Sequence, residues 1–105
     1  MKAIIAGPDV DGLGDALESL GVDVRYAAGT AARPDLEEAG IHEADLLVIT
    51  DAGLATSIPV GKDLNPNVRV VVYARNSLPE FARGQAGHIV DPELLDATTI
   101  AEELV

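Results

Sequence analysis

The chain has 105 residues, 18 acidic and seven basic, with two His and no Cys; 48% are hydrophobic and 3% aromatic. That length supports one domain around one core and excludes a two-domain enzyme, while the lack of cysteine excludes a disulfide framework, thiolate zinc or iron–sulfur sites and a cysteine nucleophile. A formal net charge of −11 repels phosphate backbones and anionic lipid surfaces, so nucleic acid is not an expected partner.

The acidic residues are spread along the whole chain rather than gathered in a tail, and only Lys2 and Lys62 are lysines. This reads as a halophile's surface. In molar salt the Debye length falls to about 3 Å, so self-repulsion is screened and the acidity says little about a ligand. The longest apolar runs, Leu46 to Thr50 and Val70 to Tyr73, are of strand length, far below the ~20 residues of a membrane span. The start of the chain lacks the long apolar stretch of a signal peptide. The expectation is a soluble, cytoplasmic protein with no direct membrane insertion.

In chain order, Lys2 to Ala6 is an apolar, β-branched run that stops at Gly7-Pro8, a strand and a loop. From Gly12 to Leu20, Leu13, Ala16, Leu17 and Leu20 share one helical face and Gly21 stops the helix. Val22 to Ala27 alternates as a second strand, and Pro34 opens a short helix through Glu38 that ends at Gly40. Ala44 to Thr50 is a buried strand; a weaker helix follows from Leu54 to Leu64, interrupted by Pro59. Val68 to Ala74 is the fourth strand, Leu78 to Gly84 a helix, and His88 to Val90 a short fifth strand. Asp91-Pro92-Glu93 carries the cap and first-turn chemistry of a last helix, which Thr99 and Glu102 would restart with a capping box.

Continuous apolar strands alternating with amphipathic helices predict a three-layer α/β fold, Rossmann-like, with a five-stranded parallel sheet in the flavodoxin-like order 2-1-3-4-5. Residues 1–105 form a single domain without repeats or linkers. The topological switch then lies between the first and third strands, and a ligand belongs in the crevice bounded by Gly7 to Gly12, Thr50 to Gly53 and Ala74 to Asn76.

Leu36 to Asp51, LEEAGIHEADLLVITD, has a Gly-Ile turn, an Ala-Asp pair and a strand ending in Thr-Asp. With the opening strand and its Gly7 and Gly12, Val70 to Arg75, and the closing DPELLDATTIAEEL, it resembles the RCK or TrkA-N-like nucleotide-binding domain of potassium-conductance regulators. The resemblance covers most of the chain. It implies NAD(H) or adenine-nucleotide binding, a homodimer, and a channel or transporter as partner. Transferred to this chain, the cofactor-binding residues are Gly7, Pro8, Asp9, Asp11, Gly12, Thr50, Asp51 and Arg75.

The sequence also departs from that pattern. Asp9 stands where the middle glycine of G-x-G-x-x-G admits a pyrophosphate, and a carboxylate there adds bulk and like charge. Alternatively, Asp9 or Asp11 caps the first helix and its carboxylate occupies the positive helix end. The second strand ends Val24-Arg25-Tyr26-Ala27 without an acid for a ribose, Thr30 replaces another acidic residue, and a helix and strand of the family are missing. A mononucleotide or other adenine ligand therefore fits better than NAD.

Competing patterns are weaker. Asp51 looks like the phospho-acceptor of a response-regulator receiver, but a receiver needs Thr or Ser after strand 4 and Lys before Pro after strand 5; the chain has Tyr73-Ala74 and Asp91-Pro92. Asp9, Asp11 and Asp15 suggest a calcium loop, yet Leu13 and Leu20 occupy later ligand positions. His42, His88, Ser57 and Ser77 sit in no catalytic motif, so no enzymatic activity is expected. Arg75 and Arg83 would face an anion or a carboxylate, and Ile58, Val60, Leu78 and Phe81 suit either core or a dimer interface. The resulting expectation is a non-catalytic nucleotide- or ligand-sensing regulatory module. The alternatives are an interaction or structural subunit with a vestigial crevice, and a degenerate receiver-like module.

Overall fold

A computed structural model describes residues 1–75 and 80–105. Its five parallel strands, β1 (Lys2–Ala6), β2 (Asp23–Ala27), β3 (Leu46–Ile49), β4 (Arg69–Tyr73) and β5 (His88–Val90), pair in the order β2-β1-β3-β4-β5. This is the α/β, flavodoxin-like order that the sequence predicts. In register, Ile4 lies beside Arg25 and Leu47, and Leu47 beside Val70.

The period of two divides the strand residues between two cores. Ile4, Ala6, Leu47, Ile49, Val70 and Val72 pack on one side against Leu36 of α2 (Arg33–Ala39), Ile58 of α3 (Ser57–Leu64) and Ala82 of α4 (Glu80–Arg83). Ala3, Ile5, Leu46, Val48, Val71 and Tyr73 pack on the other against Leu13 and Leu17 of α1 (Leu13–Ser19) and Ile100 and Leu104 of α5 (Ala97–Leu104). Ile58 is thus core, and Val60 is half-buried against the same cluster. Asn76, Ser77, Leu78 and the side chain of Phe81 lie outside the described residues.

Two elements differ from the sequence expectation. Pro59 does not interrupt its helix: α3 begins at Ser57, so the proline falls in the first turn, where its missing N–H costs nothing, and a single 3₁₀ turn at Ala52–Leu54 precedes it. Asp91-Pro92-Glu93 does not open the last helix. Asp91 accepts the Glu93 N–H at 2.9 Å within a turn, and α5 is capped by Asp96, which accepts the Thr99 N–H at 2.8 Å.

The end of the sheet where the strands begin is laced by backbone-directed side chains. Asp45 accepts the Lys2 N–H at 2.8 Å, and the Asn65 amide donates to the carbonyls of Ile41 and Ala44 at 2.9 Å. His42 Nδ1 lies 3.1 Å from the Leu64 carbonyl, which places it at this end, away from the crevice. No helix among the described residues is long and apolar enough to cross a membrane.

Candidate functional site

The loops after β1, β3, β4 and β5 meet at the opposite end of the sheet, where the chain order places the switch point. Gly7, with φ +110°, turns the chain out of β1 beside Thr50, whose hydroxyl donates to the Ala6 carbonyl at 3.3 Å. A Cβ at Gly7 would fall on the Thr50 Oγ1. The two loops therefore close on each other at the base of the crevice.

Beyond the exposed Pro8, Asp9 is half-buried and its carboxylate sits on the N-terminus of α1. Oδ1 accepts the Leu13 N–H and Oδ2 the Gly14 N–H, both at 2.9 Å, and the Tyr26 hydroxyl donates to Oδ2 at 3.3 Å. Gly12, left-handed at φ +75°, makes the turn that lets the carboxylate reach forward to these donors. The position a pyrophosphate would take in a dinucleotide fold is filled by the protein's own anion. Burial first, and then the nearby Asp9 charge, push the Tyr26 hydroxyl up from its ordinary pKa.

Asp11 faces the other way, toward β4. The Arg75 guanidinium donates to both its oxygens, at 2.9 and 2.8 Å, and through Nε to Glu93 at 2.9 Å. One arginine thus bridges the loops after β1, β4 and β5, with β3 lying between β1 and β4 in the sheet. The hydrogen bonds from Arg75 hold the Asp11 carboxyl below the usual carboxylate range, and those to Asp11 and Glu93 hold Arg75 above its own. Asp51 caps the short 3₁₀ turn, accepting the Gly53 N–H at 2.8 Å. Tyr73, buried at the end of β4, donates its hydroxyl to the Leu95 carbonyl at 2.7 Å.

The site residues named from sequence therefore lie on this rim, and Asp9, Asp11, Thr50, Asp51 and Arg75 are each hydrogen-bonded within the chain. Arg75 finds partner carboxylates rather than an open anion site, while the exposed His88 opens β5 and the buried Ser57 donates to the Ala31 carbonyl at 2.8 Å. Glu93 and Tyr26 were missed, because their partners are 18 and 17 residues away and no local spacing signals them. Among the described residues no group of three or more His, Cys, Asp or Glu is placed to hold a metal ion. A cavity of about 270 Å³ lies elsewhere, between β2 and α2, lined by Arg25, Tyr26, Asp35 and Glu38 among others.

The rim carries a pH prediction. Asp11 and Asp96 are held below the ordinary carboxylate pKa, the first by Arg75 and the second by the Thr99 hydrogen bonds. A carboxylate depressed on folding contributes stability that is present above its unfolded pKa and lost as pH falls through its folded one. Tyr26 and Tyr73 are raised, chiefly by burial, and contribute stability present below their unfolded pKa and lost as pH rises through the folded one. Denaturation midpoints in high salt are expected to be level between about pH 5 and 9 and to fall on both sides; a midpoint still rising below pH 4 would contradict this.

No curated protein matches the chain by sequence. Solved structures do. A chain described as a pilus assembly protein (cpaE) from Burkholderia thailandensis superimposes with a TM-score of 0.69 at 16% identity, covering 99% of this chain and 94% of its own. A pilus assembly-related protein from Burkholderia pseudomallei gives 0.66 at 16% identity, over 99% and 86%. An orphan response regulator of H. pylori, HP1043, gives 0.75 at 16% identity, over 99% and 92%. These likenesses show the fold, a five-stranded parallel α/β sheet of flavodoxin-like order. They correct the resemblance to RCK or TrkA-N domains: the neighbours are receiver-like, and Asp9 fills the helix end that a nucleotide-binding domain of that kind leaves open. The model of a family of unknown function, DUF7126, matches residues 3–104, and the chain belongs to that family.

Proposed function

We propose that this chain is a degenerate receiver-like regulatory domain that works through protein contact and does not carry a phosphoryl group. The observation behind this reading is the state of the acidic rim. A phosphorylatable carboxylate needs neighbouring acids free to hold a cation and a basic group free to pair with the phosphoryl oxygens. Here Asp9 is committed to the first N–H groups of α1, Asp51 to Gly53, and Asp11 to Arg75. Arg75, the basic group at the end of β4, is already paired on both sides. The position after β4 is Ala74 rather than a hydroxyl residue, and Asp91 stands before Pro92 where a lysine would be needed.

The test is incubation with acetyl phosphate or beryllofluoride and Mg²⁺ in high salt, read by intact mass and by amide NMR shifts at Thr50 to Gly53. The expected result is an unchanged mass and unmoved resonances. A phospho-adduct that disappears in D51N would overturn the proposal.

A further inference from the structure

We propose that β2 is a self-association edge, on which a second copy of this chain docks antiparallel about Val24 so that two sheets become one. The inference is independent of the receiver reading and rests on β2 alone.

Among the described residues the outer side of β2 has no neighbouring strand. The Asp23 N–H donates to the Met1 carbonyl at 3.0 Å, which turns the Asp23 backbone toward β1. Peptide groups alternate along a strand, so Arg25 and Ala27 turn the same way, while the N–H and C=O of Val24 and Tyr26 and the C=O of Val22 point to the open edge. Proteins commonly blunt such an edge with lysine, proline or a bulge. Val22 to Ala27 contains neither lysine nor proline, and its pairing with β1 is regular throughout. The cavity of about 270 Å³ already described and a second of about 130 Å³, sharing Arg25, Glu38 and Ala39, lie beside β2. Tyr26 is 52% exposed.

Charge selects the occupant. Asp23 and Arg25 lie on the same face of β2, separated by Val24, and pair with each other at 3.1 Å. An antiparallel partner centred on Val24 places Asp23 of each copy directly opposite Arg25 of the other. In that register the Val24 N–H of each chain donates to the Val24 carbonyl of its mate, and the Tyr26 N–H to the Val22 carbonyl. A register centred on Arg25 would set arginine against arginine. Val22-Asp23-Val24-Arg25-Tyr26 is therefore complementary to itself in the register where its free backbone groups also match, which is the requirement of a two-fold interface. The net charge of −11 opposes association until salt screens it, whereas ion pairs in contact persist at a Debye length near 3 Å.

The experiment is sedimentation velocity of the chain in about 1 M KCl from about 1 µM to 1 mM, with hydrogen exchange read at Val24 and Tyr26. The expected result is a concentration-dependent dimer in which both amides become protected as it forms. V24P removes the outward N–H while keeping the bonds to β1, and should abolish the dimer. R25D and D23R should each weaken self-association about tenfold, and mixing the two chains should restore it as a heterodimer. That mixture decides the matter if V24P fails to fold. A monomer throughout, a dimer indifferent to V24P, or a dimer that leaves Val24 and Tyr26 unprotected would each overturn the proposal.

Discussion

Gly14→Ala is expected to lower the free energy of unfolding by about 1–3 kcal/mol, although alanine is the better helix former by roughly 1 kcal/mol. Gly14 is the second residue of α1 and lies beneath the contact between Asp9 and Tyr26. A Cβ there would fall on the Tyr26 hydroxyl oxygen, 2.7 Å from Asp9 Oδ2 and 3.2 Å from Ile5 Cδ1. Both the tyrosine and the carboxylate must shift, and displacing the carboxylate uncaps α1, worth about 0.5–2 kcal/mol. Tyr26→Phe removes the nearest obstacle. In a double-mutant cycle read by chemical denaturation, Gly14→Ala should cost measurably less in the Tyr26→Phe background than in the parent. Equal costs would mean that the hydroxyl is not what the glycine accommodates.

The second large effect is at Tyr73, buried among Val71, Ile100 and the rest of the α1/α5 core. Tyr73→Ala is expected to cost about 3–5 kcal/mol as a large aromatic cavity in that core. Tyr73→Phe keeps the packing and loses only the hydrogen bond to Leu95, so about 1–2 kcal/mol is expected. The two substitutions separate packing from polar tethering. NMR of Tyr73→Phe should also show shifts from Leu95 back to Glu93, because the hydroxyl anchors the loop that presents Glu93 to Arg75. Shifts confined to β4 would show that the loop is held without it.

The sheet order was legible because the strands are short, apolar and separated by helices, and right-handed crossovers leave few alternatives. The exact helix starts were less legible, since cap chemistry is local and recurs. Asp91-Pro92-Glu93 and Asp96-Ala97-Thr98 carry similar signals, and only packing of Ile100 and Leu104 selects the second. The RCK resemblance misled for a related reason. Its strongest segment, Leu36 to Asp51, consists of residues that this fold needs anyway. Leu36, Ile41 and the β3 residues are core, Gly40 is a left-handed helix stop, Asp45 accepts the Lys2 amide, and Asp51 caps a turn. Such a segment reports a parallel α/β sheet rather than a ligand. The Asp9 cap was among the alternatives readable from the loop, because its partners are four and five residues on. The Asp11–Arg75 contact spans 64 residues and could be assembled only by the fold.

The same contact sets the terms on which any outside anion could reach Arg75. Asp11 is a tethered competitor, and a short tether supplies its carboxylate at an effective concentration on the order of millimolar or more. Glu93 adds a second competitor on the opposite side of the guanidinium. A free carboxylate or phosphate at micromolar levels would be outnumbered at the guanidinium edges that Asp11 and Glu93 occupy. The rim therefore acts as a buffer against small anions, and a partner able to displace Asp11 would have to bring its own high local concentration, as a folded protein surface does.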